Sequence, residues 1–114
     1  MTVLLCLNTL AALLSAGFAI LAVARPQAMS GSSAPTSGER FFASMYAARS
    51  VPLGLLAAGL PWATHGAAVT WLLLLPAAVQ LLDAAIGARR KEVGMIVAPT
   101  VAAVIHVVAG IAVR

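Results

Sequence analysis

The sequence predicts an all-α integral membrane protein, a single four-helix bundle that occupies residues 1–114. Three observations support this fold. Hydrophobic residues make up 62% of the chain and charged residues only 9%, whereas a soluble domain is about a quarter charged. The mean hydropathy is +1.04, and a soluble domain this small has too little interior to bury so much apolar surface. Four apolar runs are each long enough to cross a bilayer.

The predicted spans each reach ~28–33 Å at ~1.5 Å rise per residue, which covers the ~30 Å hydrocarbon core. Pro52 and Pro76 lie inside two of them, but membrane helices tolerate proline when neighbouring groups satisfy the freed carbonyls. The first run ends in Ala22-Val23-Ala24, which is similar to a signal-peptidase site. It has no basic n-region and is longer than an h-region, so we expect a retained helix. The spans are Val3–Ala24, Phe41–Leu60, Gly66–Gly87 and Met95–Val113.

The connections differ in charge. Arg25–Arg40 is a Ser-, Gly- and Pro-rich loop that we expect to lack regular structure, Pro61–His65 is a tight turn, and Ala88–Gly94 is a basic turn. The positive-inside rule therefore predicts both basic loops in the cytoplasm and both termini on the outer side. The basic residues lie at the ends of apolar runs, where positive charge sets the orientation of a protein in the lipid bilayer. They form no basic face for nucleic acid, so we expect no nucleic-acid partner. These residues are Arg25, Arg40, Arg89, Arg90 and Lys91.

Arg49 and Asp83 are charged residues inside apolar runs, where an unpaired charge is costly. We expect the second and third spans to form a hairpin about the short turn. Asp83 then lies ~6 Å nearer the cytoplasm than Arg49, within reach of its side chain. Tyr46 and Gln80 lie one helical turn from these two residues on their respective helices. The sequence thus predicts an intramembrane polar group of Tyr46, Arg49, Gln80 and Asp83.

Two interpretations of this group remain open. It is either an ion pair that holds the helices together or a working site that binds an anion or exchanges protons. Rival arrangements pair Asp83 with Arg90, or leave Arg49 reaching water. Asn8 and His106 form a second polar level in the outer half, where we expect the histidine to hydrogen bond between helices.

Small and polar residues recur at helical spacing on each span, which predicts close packing along these faces. The four series are Asn8, Ala12, Ser15, Ala19, Ala22; Ala43, Ala47, Ser50, Gly54, Ala57; Thr70, Ala77, Gln80, Ala84, Gly87; and Pro99, Ala102, Ala103, His106, Gly110.

No catalytic or metal-binding pattern accompanies these residues. Cys6 is the only cysteine, so neither an internal disulfide nor a thiolate cluster is available. The two histidines differ in expected depth, so we expect no haem and no other cofactor. We find no catalytic residues and expect no enzyme activity.

Short motifs covering most of the chain give it a family resemblance. Ala24-Arg25-Pro26 follows the first span, Arg49 precedes Gly54 in an Arg-x-x-x-x-Gly context, and Asp83 lies late in the third span. Together these resemble the bacterial domain-of-unknown-function family four-two-six-seven, which comprises small four-helix membrane proteins. The resemblance implies a multi-pass protein of the bacterial inner membrane and marks Arg49, Gly54 and Asp83 as characteristic positions. It implies no activity.

Two functional hypotheses follow. In the first, the Arg49–Asp83 group mainly holds the bundle together and the protein serves a membrane partner or forms a homo-oligomer. In the second, the protein is a minimal transporter or channel for a small ion or solute, and the same group is its working site. A membrane enzyme is a third class, for which the sequence offers no support.

Overall fold

The computed structural model describes residues 1–114 and is entirely helical. Four helices are each long and apolar enough to cross a membrane, which confirms the predicted all-α fold and the number of membrane-length helices. A short fifth helix, α2, lies between the first two. The elements are α1 Thr2–Ala24, α2 Pro26–Ser30, α3 Ser37–Ala63, α4 Ala67–Arg90 and α5 Val93–Ala112.

The segment between α1 and α3 is more ordered than the sequence analysis expects. Instead of an irregular loop over Arg25–Arg40, the chain forms α2 and then begins α3 at Ser37. A capping box explains this early start. The Thr36 hydroxyl accepts a hydrogen bond from the Glu39 backbone N–H, and the Glu39 carboxylate accepts one from the Thr36 N–H. These bonds satisfy two backbone donors at the helix start.

The other two connections are also shorter than expected. The turn predicted over Ala88–Gly94 is reduced to residues 91–92. The α3 helix continues to Ala63, so Pro61 is a buried helical residue and the turn is reduced to residues 64–66. Gly66 makes this turn with φ +122°, a value that L side chains rarely adopt. Its N–H donates to the carbonyl of Val113 at 2.7 Å, which ties the start of α4 to the end of α5.

The long helices associate as two tight antiparallel pairs, α1 with α3 and α4 with α5. Glycines make the close approaches. A Cβ added to Gly54 of α3 would lie 2.9 Å from the Ala12 carbonyl oxygen of α1, and one added to Gly87 of α4 would lie 2.6 Å from Met95 of α5. The prediction that the second and third spans pack against each other as a hairpin is therefore wrong. α3 and α4 follow one another in the chain but touch only over a short stretch.

The interior is built mainly from alanines, and large apolar side chains face outward. None of the twenty residues in the predicted small-residue series is exposed, which confirms the packing faces. Where the two pairs meet at the end carrying the chain termini, larger side chains complete an apolar cluster. Its members are Leu5, Ala12, Ala57, Ala58, Val69, Leu73, Ala109 and Val113.

A polar cavity between the two helix pairs

A small cavity of about 30 Å³ lies between the two helix pairs. All four long helices contribute to its wall. A space of about 10–15 Å³ already holds one water molecule, so this cavity has room for about two waters or one small cation. Its polar lining consists of Ser15 of α1, Tyr46 and Ser50 of α3, Gln80 and Asp83 of α4, and His106 of α5.

Arg49 is not part of this cavity. Its side chain is exposed on α3, whereas Asp83 is half-buried and lines the cavity wall. The only ion pair in the chain joins Arg90 to Glu92 at 2.8 Å, at the end of the bundle. The predicted Arg49–Asp83 pair is therefore not formed, and neither is the rival pairing of Asp83 with Arg90. The helix pairing explains this, because α3 packs mainly against α1 and touches α4 only over a short stretch, which leaves Arg49 exposed.

The other two members of the predicted group, Tyr46 and Gln80, do lie beside Asp83 around the cavity. Gln80 is buried and its amide nitrogen donates to the Ser15 hydroxyl at 2.6 Å. That hydroxyl in turn donates to the Ala11 carbonyl at 3.1 Å. With its nitrogen directed at Ser15, the Gln80 amide oxygen is left as an acceptor. These bonds connect α4 to α1 across the boundary between the two pairs.

Asn8 and His106, the predicted second polar level, are hydrogen bonded in the fully buried interior. The Asn8 amide nitrogen donates to the Ala57 carbonyl at 2.8 Å, and the Asn8 amide oxygen lies 2.7 Å from His106 Nδ1. Since the Ala57 carbonyl can only accept, the orientation of the Asn8 amide is determined. Its oxygen can also only accept, so His106 Nδ1 must carry a proton. A neutral His106 is therefore the Nδ1–H tautomer, with a lone pair on Nε2.

His106 Nε2 has no hydrogen-bond partner although it is buried. It is the only buried side-chain nitrogen or oxygen atom in the chain of which this is true. An unsatisfied buried acceptor costs about 1–3 kcal/mol, which a single water or another donor in the adjacent cavity can relieve. Nδ1 is already bonded to Asn8, so Nε2 is the ring atom without a partner, and His106 belongs to the cavity wall.

The polar groups are spread along the bundle axis. In the α4–α5 pair, Gly110 packs against Leu73, and the two helices run antiparallel. His106 is therefore near the level of Pro76, and Asp83 lies about 10 Å farther along α4. Beyond His106, toward the chain termini, the apolar cluster closes the bundle.

A second, wider groove of about 580 Å³ lies at the opposite end, beside α2 and the start of α3. Tyr46 lines both this groove and the small cavity. Glu39 is the one acidic residue in its wall. The cavity therefore adjoins the wide groove at Tyr46, whereas its other end meets the apolar cluster.

Several hydrogen bonds between helices were not predicted from the sequence. The Thr70 hydroxyl of α4 donates to the Gly110 carbonyl of α5 at 2.8 Å. The Thr9 hydroxyl donates to the Ala58 carbonyl at 3.0 Å, and the Trp62 indole N–H donates to the Thr9 hydroxyl at 2.8 Å. Ser15 was predicted only as a small packing residue, not as the partner of Gln80. Its place four residues before Ala19 on the packing face was the available signal, since a hydroxyl on such a face can also bond to a polar side chain of the facing helix.

No group of three or more His, Cys, Asp or Glu side chains is arranged to hold a metal ion. In comparisons with known proteins, no family model, curated protein or solved structure matches the chain. Membership of the four-two-six-seven family therefore stays a prediction. The chain has four membrane-length apolar helices and a polar cavity between two glycine-packed helix pairs.

Proposed function

We propose that this chain is a multi-pass protein of the bacterial inner membrane that moves a small cation across the bilayer, with Asp83 as the cation-binding carboxylate. One observation carries the proposal. Asp83 is the only acidic residue away from the helix ends, and it lines an interior cavity formed by all four long helices. Ionisable residues within membrane spans are expensive and commonly mark ion or proton pathways.

The lining of the cavity favours a cation over an anion. Asp83 contributes a carboxyl group, Gln80 an amide oxygen, and His106 an unpaired Nε2. No lysine or arginine lines the cavity, and Arg49, the one basic residue at comparable depth, is exposed on α3. An acceptor-rich site without a fixed positive charge attracts cations and repels anions.

The proposed orientation places the wide groove beside α2 on the cytoplasmic side and both termini outside. Five basic residues lie at the groove end of the bundle, and Arg114 is the only arginine or lysine at the other end. This is the asymmetry that the positive-inside rule relates to the cytoplasm. A cation then reaches Asp83 from the cytoplasm past Tyr46, and the apolar cluster is the barrier on the outer side.

The proposal is tested by reconstituting the full-length chain in liposomes and measuring fluxes of H⁺, Na⁺, K⁺ and NH₄⁺ under an imposed diffusion potential. Wild-type protein is expected to carry at least one of these cations faster than protein-free vesicles. Asp83→Asn keeps the shape of the side chain but removes its charge, and should lower that flux at least tenfold.

Glu92→Gln is the matched control, because it also converts a carboxylate to an amide but lies outside the cavity, paired with Arg90. It should retain wild-type flux. Flux equal to that of empty vesicles for all four cations, or equal flux in wild type and Asp83→Asn, would overturn the proposal.

A second candidate is a subunit that binds another membrane protein or a second copy of itself. The exposed Arg49 favours it, since a guanidinium at bilayer depth without an intramolecular partner is stabilised by a carboxylate on a neighbouring chain. Light scattering in mild detergent tests the self-association form. Wild type should be a dimer or larger and Arg49→Leu a monomer, while Arg89→Leu, exposed at the helix end, should resemble wild type.

A further inference from the structure

We infer that the cation is the proton, and that His106 Nε2 is a second proton site which exchanges with Asp83 through water held in the cavity. This inference rests on the proposed function and names its substrate. It begins from the hydrogen bonds of Asn8, which hold the His106 ring in one tautomer with Nδ1–H bonded to the amide oxygen. The basic nitrogen Nε2 is consequently the free one. It is buried without a partner, on a residue that forms part of the cavity wall.

The chemistry of Nε2 disfavours Na⁺ and K⁺. An imidazole lone pair accepts a hydrogen bond or a proton, whereas Na⁺ and K⁺ prefer several oxygen ligands. The cavity volume of about 30 Å³ accommodates about two water molecules. His106 and Asp83 lie at backbone levels about 10 Å apart along the bundle axis, and no hydrogen bond joins Nε2 to the Asp83 carboxyl group. Two waters between the two side chains would complete the connection.

The other polar groups of the cavity can hydrogen bond to the waters between His106 and Asp83. The Gln80 amide is anchored through its nitrogen to Ser15 at 2.6 Å, so its oxygen can accept from a water between the two proton sites. The titratable groups at the cavity are Asp83 from α4, Tyr46 from α3 and His106 itself from α5. α1 contributes none, since its residues facing His106 and Gln80 are Asn8 and Ser15.

The transfer is balanced without any co-reactant. The O–H bond of a protonated Asp83 breaks and its proton passes to the first water. The first water passes one of its protons to the second water, and the second water passes one to Nε2. The products are an aspartate and an imidazolium whose Nδ1–H still donates to Asn8. The reverse sequence restores the carboxylic acid. A proton that enters from the groove beside Tyr46 can therefore move from Asp83 to His106, which lies next to the apolar cluster on the outer side.

Nitrogen-15 NMR of the reconstituted full chain tests this without altering the site. In a His65→Gln background, made without a histidine tag, His106 is the only imidazole, since His65 is the other histidine and is exposed at the α3–α4 turn. At high pH we expect a neutral ring with the proton on Nδ1. As the pH is lowered to 5, Nε2 should take up a proton, and Asp83→Asn should move the pH of half-protonation. A ring protonated on Nε2 at high pH, or a titration insensitive to Asp83→Asn, overturns the inference whatever the flux result.

Flux measurements separate this inference from the proposed function. His106→Gln retains a donor for Asn8 but removes the base, and it should lower proton flux at least tenfold. His65→Gln, the matched histidine control, should not. If Asp83-dependent flux is found for Na⁺ or K⁺ and His106→Gln leaves it unchanged, the proposed function stands and the proton inference fails. If no flux depends on Asp83, the proposed function itself fails.

Discussion

His106 Nδ1 lies 2.7 Å from the amide oxygen of Asn8, and this hydrogen bond joins α5 of one helix pair to α1 of the other. Both side chains are fully buried. Only two side-chain hydrogen bonds cross the boundary between the pairs, the second being that from Gln80 to Ser15. Close glycine contacts hold each pair together internally, so the boundary between the pairs combines an apolar cluster at one end with a thin polar layer and a cavity.

Removing either partner of the Asn8–His106 bond should destabilise the protein. Asn8→Ala leaves the Ala57 carbonyl and His106 Nδ1 without partners, and His106→Ala leaves the Asn8 oxygen unpaired. We expect about 1–2 kcal/mol for each, since hydrogen bonds between membrane helices average ~0.6 kcal/mol and unpaired buried groups add to the cost. The double mutant should lose less than the sum of the two. Thermal unfolding in mild detergent measures this.

The control for that cycle is Thr100→Ala, because Thr100 is exposed and its hydroxyl bonds only to the Ile96 carbonyl of its own helix. It should change stability by less than ~0.5 kcal/mol, as surface substitutions do. Strict additivity of Asn8→Ala and His106→Ala would contradict a direct bond between the two side chains.

Two glycines of α3 should respond oppositely to alanine. A Cβ at Gly54 would lie 2.9 Å from the Ala12 carbonyl oxygen and 3.0 Å from the Ala16 Cβ, so α1 and α3 must separate. Overpacking of this kind costs about 1–3 kcal/mol. Gly59 has nothing within 4 Å, so Gly59→Ala should be neutral or slightly stabilising. Equal unfolding temperatures for the two variants would rule out the tight α1–α3 contact.

Arg49 and Asp83 should behave as independent sites. Because they form no ion pair, the stability changes of Arg49→Leu and Asp83→Asn should add to within ~0.3–0.5 kcal/mol in the double mutant. A buried ion pair behaves differently, since loss of one partner costs about 3–5 kcal/mol and loss of both recovers much of it. Equilibrium unfolding in mild detergent of the two single mutants and the double mutant distinguishes the cases, and a large coupling would restore the pairing expected from the sequence.

Cysteine labelling should establish the orientation. In a Cys6→Ser background the chain has no thiol, so Ser33→Cys and Thr64→Cys each introduce a single reporter at an exposed position, one at each end of the bundle. A membrane-impermeant maleimide is added to spheroplasts, whose inner membrane is intact. We expect it to label the Thr64→Cys variant directly, and the Ser33→Cys variant only after the membrane is permeabilised. The reverse pattern would invert the proposed topology and the side from which the cavity is reached.

The number and approximate extent of the membrane-length helices follow from the positions and lengths of the four apolar runs. A run of about twenty apolar residues has one stable form in lipid, because every backbone N–H and C=O must be satisfied within the helix. The packing faces were also predictable, since Asn8, Ala19, Gly54 and Gly110 lie on small-residue series at helical spacing. The capping box at Thr36 and Glu39 was not predicted, although its Thr-x-x-Glu spacing is a helix-start signal.

The partner of each helix was not predictable in this way. The short turn between the second and third spans suggested that α3 packs against α4, whereas the structure pairs α3 with α1 and α4 with α5. Apolar runs in lipid attract one another with little specificity, so the choice depends on where glycine allows backbones to approach, as at Gly54 and Gly87. That choice exposes Arg49 and places Asp83 at the cavity. The sequence by itself determined that the chain has four apolar helices of membrane-spanning length and which of their faces are small. Only the tertiary structure decided which polar side chains meet, because that depends on atomic contacts between helices far apart in the chain.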